Sequence, residues 1–196
     1  RQLFQPLMIL NLEFDYRPKA SLQKMRDASI SVPFADIPFS PYKLTMSMFL
    51  AELLGYATRA EQQGDALFHF LMDSILWLDQ AESNFSNFHI VFMIKLTAYL
   101  GFFPNIESGA GMDYFDLVDG CFVSAVPTHR NYLDAEDSMR MVHLLRLDYK
   151  TMHLYTMSRS DRNRCIEVLL LYYRIHLPSF PELKSYSVLK DMFSTM

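Results

Sequence analysis

The sequence predicts a mainly α protein: a helical domain carrying one inserted β-hairpin and preceded by short strands. Three observations predict it. From residue 40 onward, apolar residues recur at helical spacing in successive segments, most of them opened by a capping residue. At the start, LFQPLMILNLEFDY (3–16) sets Met8, Leu10, Leu12 and Phe14 against polar Asn11, Glu13 and Asp15, the period-two pattern of a half-buried strand. Between the helices, YFDLV and CFVSAV flank Asp119-Gly120, a pair favoured in two-residue hairpin turns. With 51% hydrophobic and 14% aromatic residues in a chain of 196, there is ample material for a core, so disorder is excluded.

The elements follow in order. RPKAS (17–21) is a turn and LQKMRDASI (22–30) a second extended piece, with Gln23, Lys24 and Arg26 near a solvent edge. Two strands alone are marginally stable, which predicts further strands upstream of Arg1. Ser40-Pro41 opens the first helix, cap followed by proline at the first helical position, with Leu44, Met48, Leu50, Leu53, Leu54 and Ala57 at helical spacings and Gly64 closing the region. Asp65 is the expected cap of ALFHFLMDSILWLDQA. Asn84 to Asn87 precede FHIVFMIKLTAYLG, which Gly101 and Pro104 stop. Asp134 caps a fourth helix whose first turn holds Glu136 and Asp137, where the helix dipole favours negative charge. Ser158 or Ser160 opens DRNRCIEVLLLYYRIHL, ended by Pro178, and SYSVLKDMF is a short sixth. The hairpin is expected at about 112–126.

Composition narrows the function classes. No apolar run is long enough to span a membrane and no secretory leader pattern is visible. Two cysteines, Cys121 and Cys165, cannot build a disulfide framework and suit a reducing cytoplasm. The net charge of −4 is uneven: residues 1–30 carry five Lys/Arg against three Asp/Glu, 31–139 four against fourteen, and 140–196 nine against five. Basic ends around an acidic middle suit a polyanion or an acidic peptide. Six histidines, at 69, 89, 129, 143, 153 and 176, show no metal-ligand spacing. Asp113, Asp116 and Asp119 lack the glycine and closing glutamate of a calcium loop. No nucleophile elbow, phosphate loop or dinucleotide turn occurs, so the chain reads as no enzyme. Thirteen methionines, Met46, Met48, Met72, Met93, Met139 and Met141 among them, read as core filling. On the fifth helix, Cys165, Ile166, Val168, Leu169, Tyr172, Tyr173 and His176 gather on the core side. Arg164, Glu167 and Arg174 lie opposite, with Leu170 and Leu171 among them. Those leucines mark either a second packing contact or an apolar patch rimmed by arginine, suited to a peptide with an acidic, aromatic end.

The strings YYRIHLPSFPELKSYSVLK (172–190), LFQPLMILNLEFDY, FHIVFMIKLTAYLGFFPNIE and YFDLVDGCFVS resemble the RecO family of bacterial recombination mediators, in its Bacteroides-type version. The resemblance implies an OB-type barrel, of which 1–32 would be the last strands, followed by a helical C-terminal domain over 33–196. It implies a non-enzymatic DNA repair and recombination mediator. Such a protein binds single- and double-stranded DNA, anneals strands, and works with RecR to load RecA on DNA coated by SSB. It also implies binding of the acidic SSB C-terminal tail, for which Leu170, Leu171, Arg164 and Arg174 are the candidates here. DNA phosphates would be met by Arg17, Lys19, Lys24 and Arg26 on the strands and by Arg159, Arg162, Arg164, Arg174 and Lys184 on the helices. Many relatives bind zinc through two Cys-x-x-Cys pairs. Here NIESGAGM replaces the first, and only Cys121, with Ser124 three residues on, is left of the second, so no metal or other cofactor is expected. The competing reading is a helical interaction scaffold or ligand-sensing domain with no nucleic-acid role, for which the acidity and apolar richness speak.

Overall fold

The computed structural model describes residues 3–59, 64–106 and 113–192. Strands β1 (Ile9–Asp15) and β2 (Lys24–Val32) pair antiparallel from Ile9↔Val32 to Asp15↔Lys24, with irregularities after Ile9 and Glu13. Helices α1 (Pro41–Ala57), α2 (Asp65–Gln80) and α3 (Phe88–Tyr99) follow. Three short strands come next, β3 (Tyr114–Asp116), β4 (Cys121–Val123) and β5 (Tyr132–Leu133), then α4 (Ala135–Leu145), α5 (Arg159–His176) and α6 (Ser185–Met192). The chain is mainly α, as its patterning predicts. No helix among the described residues is long and apolar enough to cross a membrane.

The centre is α3. FHIVFMIKLTAY is apolar on all sides but the edge that carries Lys95, Ala98 and Tyr99, and a helix of that kind must be covered over most of its circumference. Phe88 to Ile94, Leu96 and Thr97 are all buried, with α2, α4 and α5 packed against them. α1 packs on α6, and Phe49 of α1 meets His89 of α3 edge-on, ring centroids 6.5 Å apart. The core-side residues expected on α5 are buried, save for the partly exposed His176. Met46, Met93 and Met141 fill the core as expected, but Met48 and Met139 face solvent, 43% and 60% exposed. Helical spacing locates a face, and these two positions sit at its edge.

Helix starts follow local chemistry. Ser40 and Asp134 accept the backbone N–H groups of Lys43 and Asp137, and Ser158 forms a full capping box with Asp161. Asp65 is not a cap: it is the first helical residue of α2 and Gly64 holds the cap position. The start of α6 is capped from another helix. The Glu52 carboxylate on α1 accepts the backbone N–H of Lys184 at 3.1 Å and of Ser185 at 2.8 Å, and the Ser185 hydroxyl donates to it as well. Burial pushes the Glu52 carboxyl up, but these donors and the Lys184 charge outweigh it and hold it below the usual value.

The segment joining β2 to α1 is anchored on the end of α2. Asp79, only 6% exposed, accepts the backbone N–H groups of Ala35, Asp36 and Ile37 at 2.8–2.9 Å. Lys43, 1% exposed, donates to the Asp79 carbonyl at 2.9 Å, pairs with Asp36 at 2.7 Å and lies over the Phe85 ring. Burial raises the Asp79 carboxyl, yet the three amides and Lys43 draw it below its ordinary value.

The β insertion differs from the expected two-residue hairpin in two ways. Phe115↔Phe122 and Asp116↔Cys121 pair, so four residues, Leu117 to Gly120, make the connection. Asp116 causes this: its Oδ1 accepts the N–H groups of Val118 at 2.8 Å and Asp119 at 3.1 Å, closing a wider loop. Then β5 adds to β3, giving a three-stranded sheet ordered β4-β3-β5. Gly120 adopts φ +64° against Tyr172, whose hydroxyl would lie 2.6 Å from any Cβ placed there. Phe115 and Phe122 pack edge to face, and His176 Nε2–H donates to the Leu117 carbonyl at 2.9 Å while stacking on Phe102. His176 is therefore a packing histidine that pins the sheet to α5. On the β1–β2 hairpin the expected buried face is largely open, with Leu12 and Phe14 about half exposed.

Two stability predictions follow from the buried polar groups. Asp79→Asn turns one acceptor into a donor facing a backbone N–H and is expected to cost about 1–3 kcal/mol in urea unfolding. His89 is fully buried, and burial, with the Arg162 charge second, pushes its pKa down to about 3. As pH falls below its ordinary 6.5, the unfolded chain takes up this proton and the folded chain does not, so stability rises with pH across that window. The slope from this group approaches about 1.4 kcal/mol per pH unit, and His89→Leu is expected to flatten it between pH 6 and pH 5. An unchanged slope in the variant would assign the pH dependence elsewhere.

Candidate partner and nucleic-acid surfaces

Of the four peptide-site candidates, the structure brings two together. Leu170 and Arg174, one turn apart on α5, line a pocket of about 280 Å³ closed by the Pro181–Leu183 segment and by Tyr186 of α6. Tyr186 is set by its O–H donating to Glu167 Oε1 at 3.1 Å and by its ring tilted on Phe49. Burial, then the neighbouring Glu167 charge, pushes its phenol well above the ordinary value, so it stays a donor. Lys190 offsets Glu167 at 3.3 Å. Arg174 is 40% exposed and only loosely paired, at 3.6 Å, with a Glu182 that is itself 91% exposed. The pocket thus offers an apolar floor and an arginine whose present partner can swing into solvent. Leu171 is half-buried outside this lining, and Arg164 points to α4. Leu183 and Tyr186 escaped the periodicity argument because they come from other elements. Their only signal is the recurrence of Phe180, Leu183 and Tyr186 at every third residue of FPELKSY after the helix.

The basic candidates divide by environment. Arg17, Lys19 and Lys24 are exposed around the β1–β2 connection, which Gln23 shapes: its Nε2 donates to the Arg17 and Ala20 carbonyls and its Oε1 accepts the Arg17 N–H. Arg26 pairs with Asp15 at 2.9 Å. The arginines at the start of α5 do not form one patch. Arg159 donates to the Lys190 carbonyl at the end of α6. Arg162 turns inward, to Asn87 Oδ1 at 3.3 Å and the Met157 carbonyl at 3.4 Å, and burial lowers its pKa. Asn87 in turn donates to the Met152 and Tyr155 carbonyls, so Arg162 completes a polar knot at the start of α3. Arg164 pairs with Asp137 at 2.7 Å, and this hydrogen bond raises its pKa. Arg140 joins Asp137 to Glu136 and Asp161 beside it, so acidic partners surround this face of α4 and α5. Lys184 keeps an exposed side chain while its N–H is held by Glu52.

The residues around Cys121 do not fit a zinc site. Burial, then the Asp119 and Asp116 charges, raises the thiol pKa, favouring the protonated form that binds no metal. Among the described residues no three His, Cys, Asp or Glu side chains converge as metal ligands. Part of NIESGAGM lies outside the described residues. Asp116 is instead committed to His129, whose Nε2 lies 3.1 Å from its Oδ2, while His129 Nδ1 accepts the Asn131 N–H.

Residues 38–186 match the protein family described as Recombination protein O C terminal. A DNA repair protein RecO of Phocaeicola vulgatus is 46% identical over 192 residues, covering 98% of this chain and 80% of that protein. The RecO of Bacteroides fragilis is 44% identical over 97% of this chain and 79% of its own length, and that of Flavobacterium psychrophilum 31% identical over similar shares. With the family model matched over residues 38–186 and relatives 44–46% identical along nearly the whole chain, the protein belongs to the RecO family.

Proposed function

We propose that this chain is a non-catalytic DNA repair and recombination mediator. It binds single- and double-stranded DNA, anneals strands and, with RecR, helps load RecA on SSB-coated DNA. The observation that carries this reading is the Leu170–Arg174 pocket, in which a loosely paired arginine lies beside apolar surface, while Lys190 offsets Glu167 of the lining. An aromatic terminal side chain fits against Leu170, Leu183 and Tyr186, and its carboxylate meets Arg174 in place of Glu182. Residues 1–32 are read as the closing strands of an OB-type barrel and 33–196 as the helical domain. The open apolar positions Leu12, Phe14, Met25 and Ile30 support that reading, since a free two-stranded sheet is marginal. DNA contact is assigned first to Arg17, Lys19 and Lys24, whose side chains are exposed, and second to Lys184. Arg26, Arg159, Arg162, Arg164 and Arg174 reach DNA only by giving up intramolecular partners.

A fluorescent SSB-tail peptide tests the pocket. Arg174→Ala is expected to weaken binding by about tenfold or more, as for a lost charge-assisted hydrogen bond. Glu182→Gln removes the competing carboxylate and is expected to tighten it. Equal affinity in all three proteins would discard the pocket as the tail site. For DNA, affinity for a labelled single strand should fall steeply with salt. In Lys19→Ala/Lys24→Ala the slope of log K against log salt should shrink by about 0.7 per lost phosphate contact. A slope equal to that of the parent would remove these lysines from the interface.

A further inference from the structure

We propose that a second surface, the groove between α2, α3 and the turn after α4, binds single-stranded nucleic acid by stacking its bases; this rests on the DNA-binding reading above. The groove encloses about 630 Å³ and is walled by Phe70, Trp77, Tyr99 and Tyr149, with Lys95 and Lys150 beside them. The rings are ordered in advance. Phe70 lies between Tyr99 (centroids 4.5 Å apart, planes 19°) and Phe92 (5.4 Å, 28°). Trp77, Phe88 and Tyr149 meet as a mutual cluster, centroids 5.0–5.6 Å apart and planes within 28° of one another. Tyr149 is fixed by its O–H donating to Ser74 Oγ at 2.8 Å. Near-parallel rings held on three elements form a stepped stacking surface that loses little freedom when a base lands on it. Tyr99, 41% exposed, is the open step.

The charges choose the occupant. Lys150 is exposed, placed for one phosphate, and Lys95, half-buried at the wall, lies in the field of Asp148, which a second phosphate displaces. Of the two acids, Asp148 spends Oδ1 on the N–H groups of Lys150 and Thr151 and on the Thr151 hydroxyl, and Asp73 faces solvent on α2. His69 completes the ionisable lining. An acidic peptide would set its own carboxylates against both aspartates along the groove. A single strand instead puts uncharged bases on the rings and carries its phosphates at the rim. Stacking then supplies most of the affinity and the lysines a small salt-dependent part. That profile differs from a phosphate-dominated contact at the β1–β2 connection.

Trp77 is the one tryptophan of the chain, so its emission reports this groove selectively. Titrating short oligo(dT) into the protein is expected to quench Trp77. The slope of log K against log salt is expected near −1.4 for two phosphates, falling to about −0.7 in Lys150→Ala. Tyr99→Ala is expected to weaken binding about tenfold. Lys150→Ala alters only an exposed side chain and keeps the test valid should Tyr99→Ala fail to fold. Labelled oligo(dT) that binds by anisotropy yet leaves Trp77 emission and both variants unchanged overturns the groove and spares the DNA-binding reading. Absence of binding by both readouts overturns both. Quenching by an acidic, aromatic-ended peptide but not by oligo(dT) overturns the proposal in favour of a protein partner.

Discussion

A helix apolar over most of its circumference has to be wrapped, and α3 sets that demand on the whole molecule. Phe88, Ile90, Val91 and Met93, spread round its axis, are all at most 1% exposed. Helices α2, α4 and α5 supply its walls, α1 reaches it through Phe49, and each must return to α3 within the reach of its connections. Burial of so much aromatic and aliphatic surface is the main stabilising term. Its cost is that polar groups in and around α3 must find partners inside the protein. Thr97 turns its hydroxyl to the Ile94 carbonyl, and the Tyr173 hydroxyl reaches across from α5 to the Met93 carbonyl.

The loops are held by the same logic. Connections are met by side chains that satisfy several backbone groups at once: the buried Asp79 for the segment before α1, the half-buried Glu52 for the start of α6, the buried Asn87 for the turn before α5. Arg162 belongs to this set, a cation spent on a knot rather than displayed. Buried polar ties of this kind add little net stability when whole and cost several kcal/mol when halved. They specify which loop goes where. The charge map follows in part: Glu136 and Asp137 of the acidic middle meet Arg140 and Arg164 of the basic block after it, so the two blocks offset each other where α4 and α5 touch.

Much of this was legible in the sequence, for reasons that differ by element. Ser40, Asp134 and Ser158 announce their helices because a cap acts within three residues. The core side of α5 is visible because its period is local. The four-residue connection after β3 was hidden, since Asp116 overrides the turn preference of Asp119-Gly120 by a side-chain bond that pattern does not encode. Half of the candidate pocket was legible: Leu170 and Arg174 stood out as an odd apolar–basic pairing on one helix. Leu183 and Tyr186 come from elements further along the chain, and no spacing rule joins them to α5. Likewise Arg159, Arg162 and Arg164 read as one cluster because they are neighbours in sequence. A helix turns them about 100° per residue, toward three different surroundings.

The cap on α6 has a last consequence. Eight residues cannot sustain a helix alone in water, so α6 depends on its packing against α1 through the buried Leu189 and on Glu52, which holds its first turn. Tyr186, one wall of the pocket on α5, is carried by that helix. The pocket is therefore a product of tertiary structure, closed on α5 by a helix that α1 holds in place. Whatever occupies it draws α6 and α5 together and shares its binding energy with the fold, so occupancy and integrity rise and fall together.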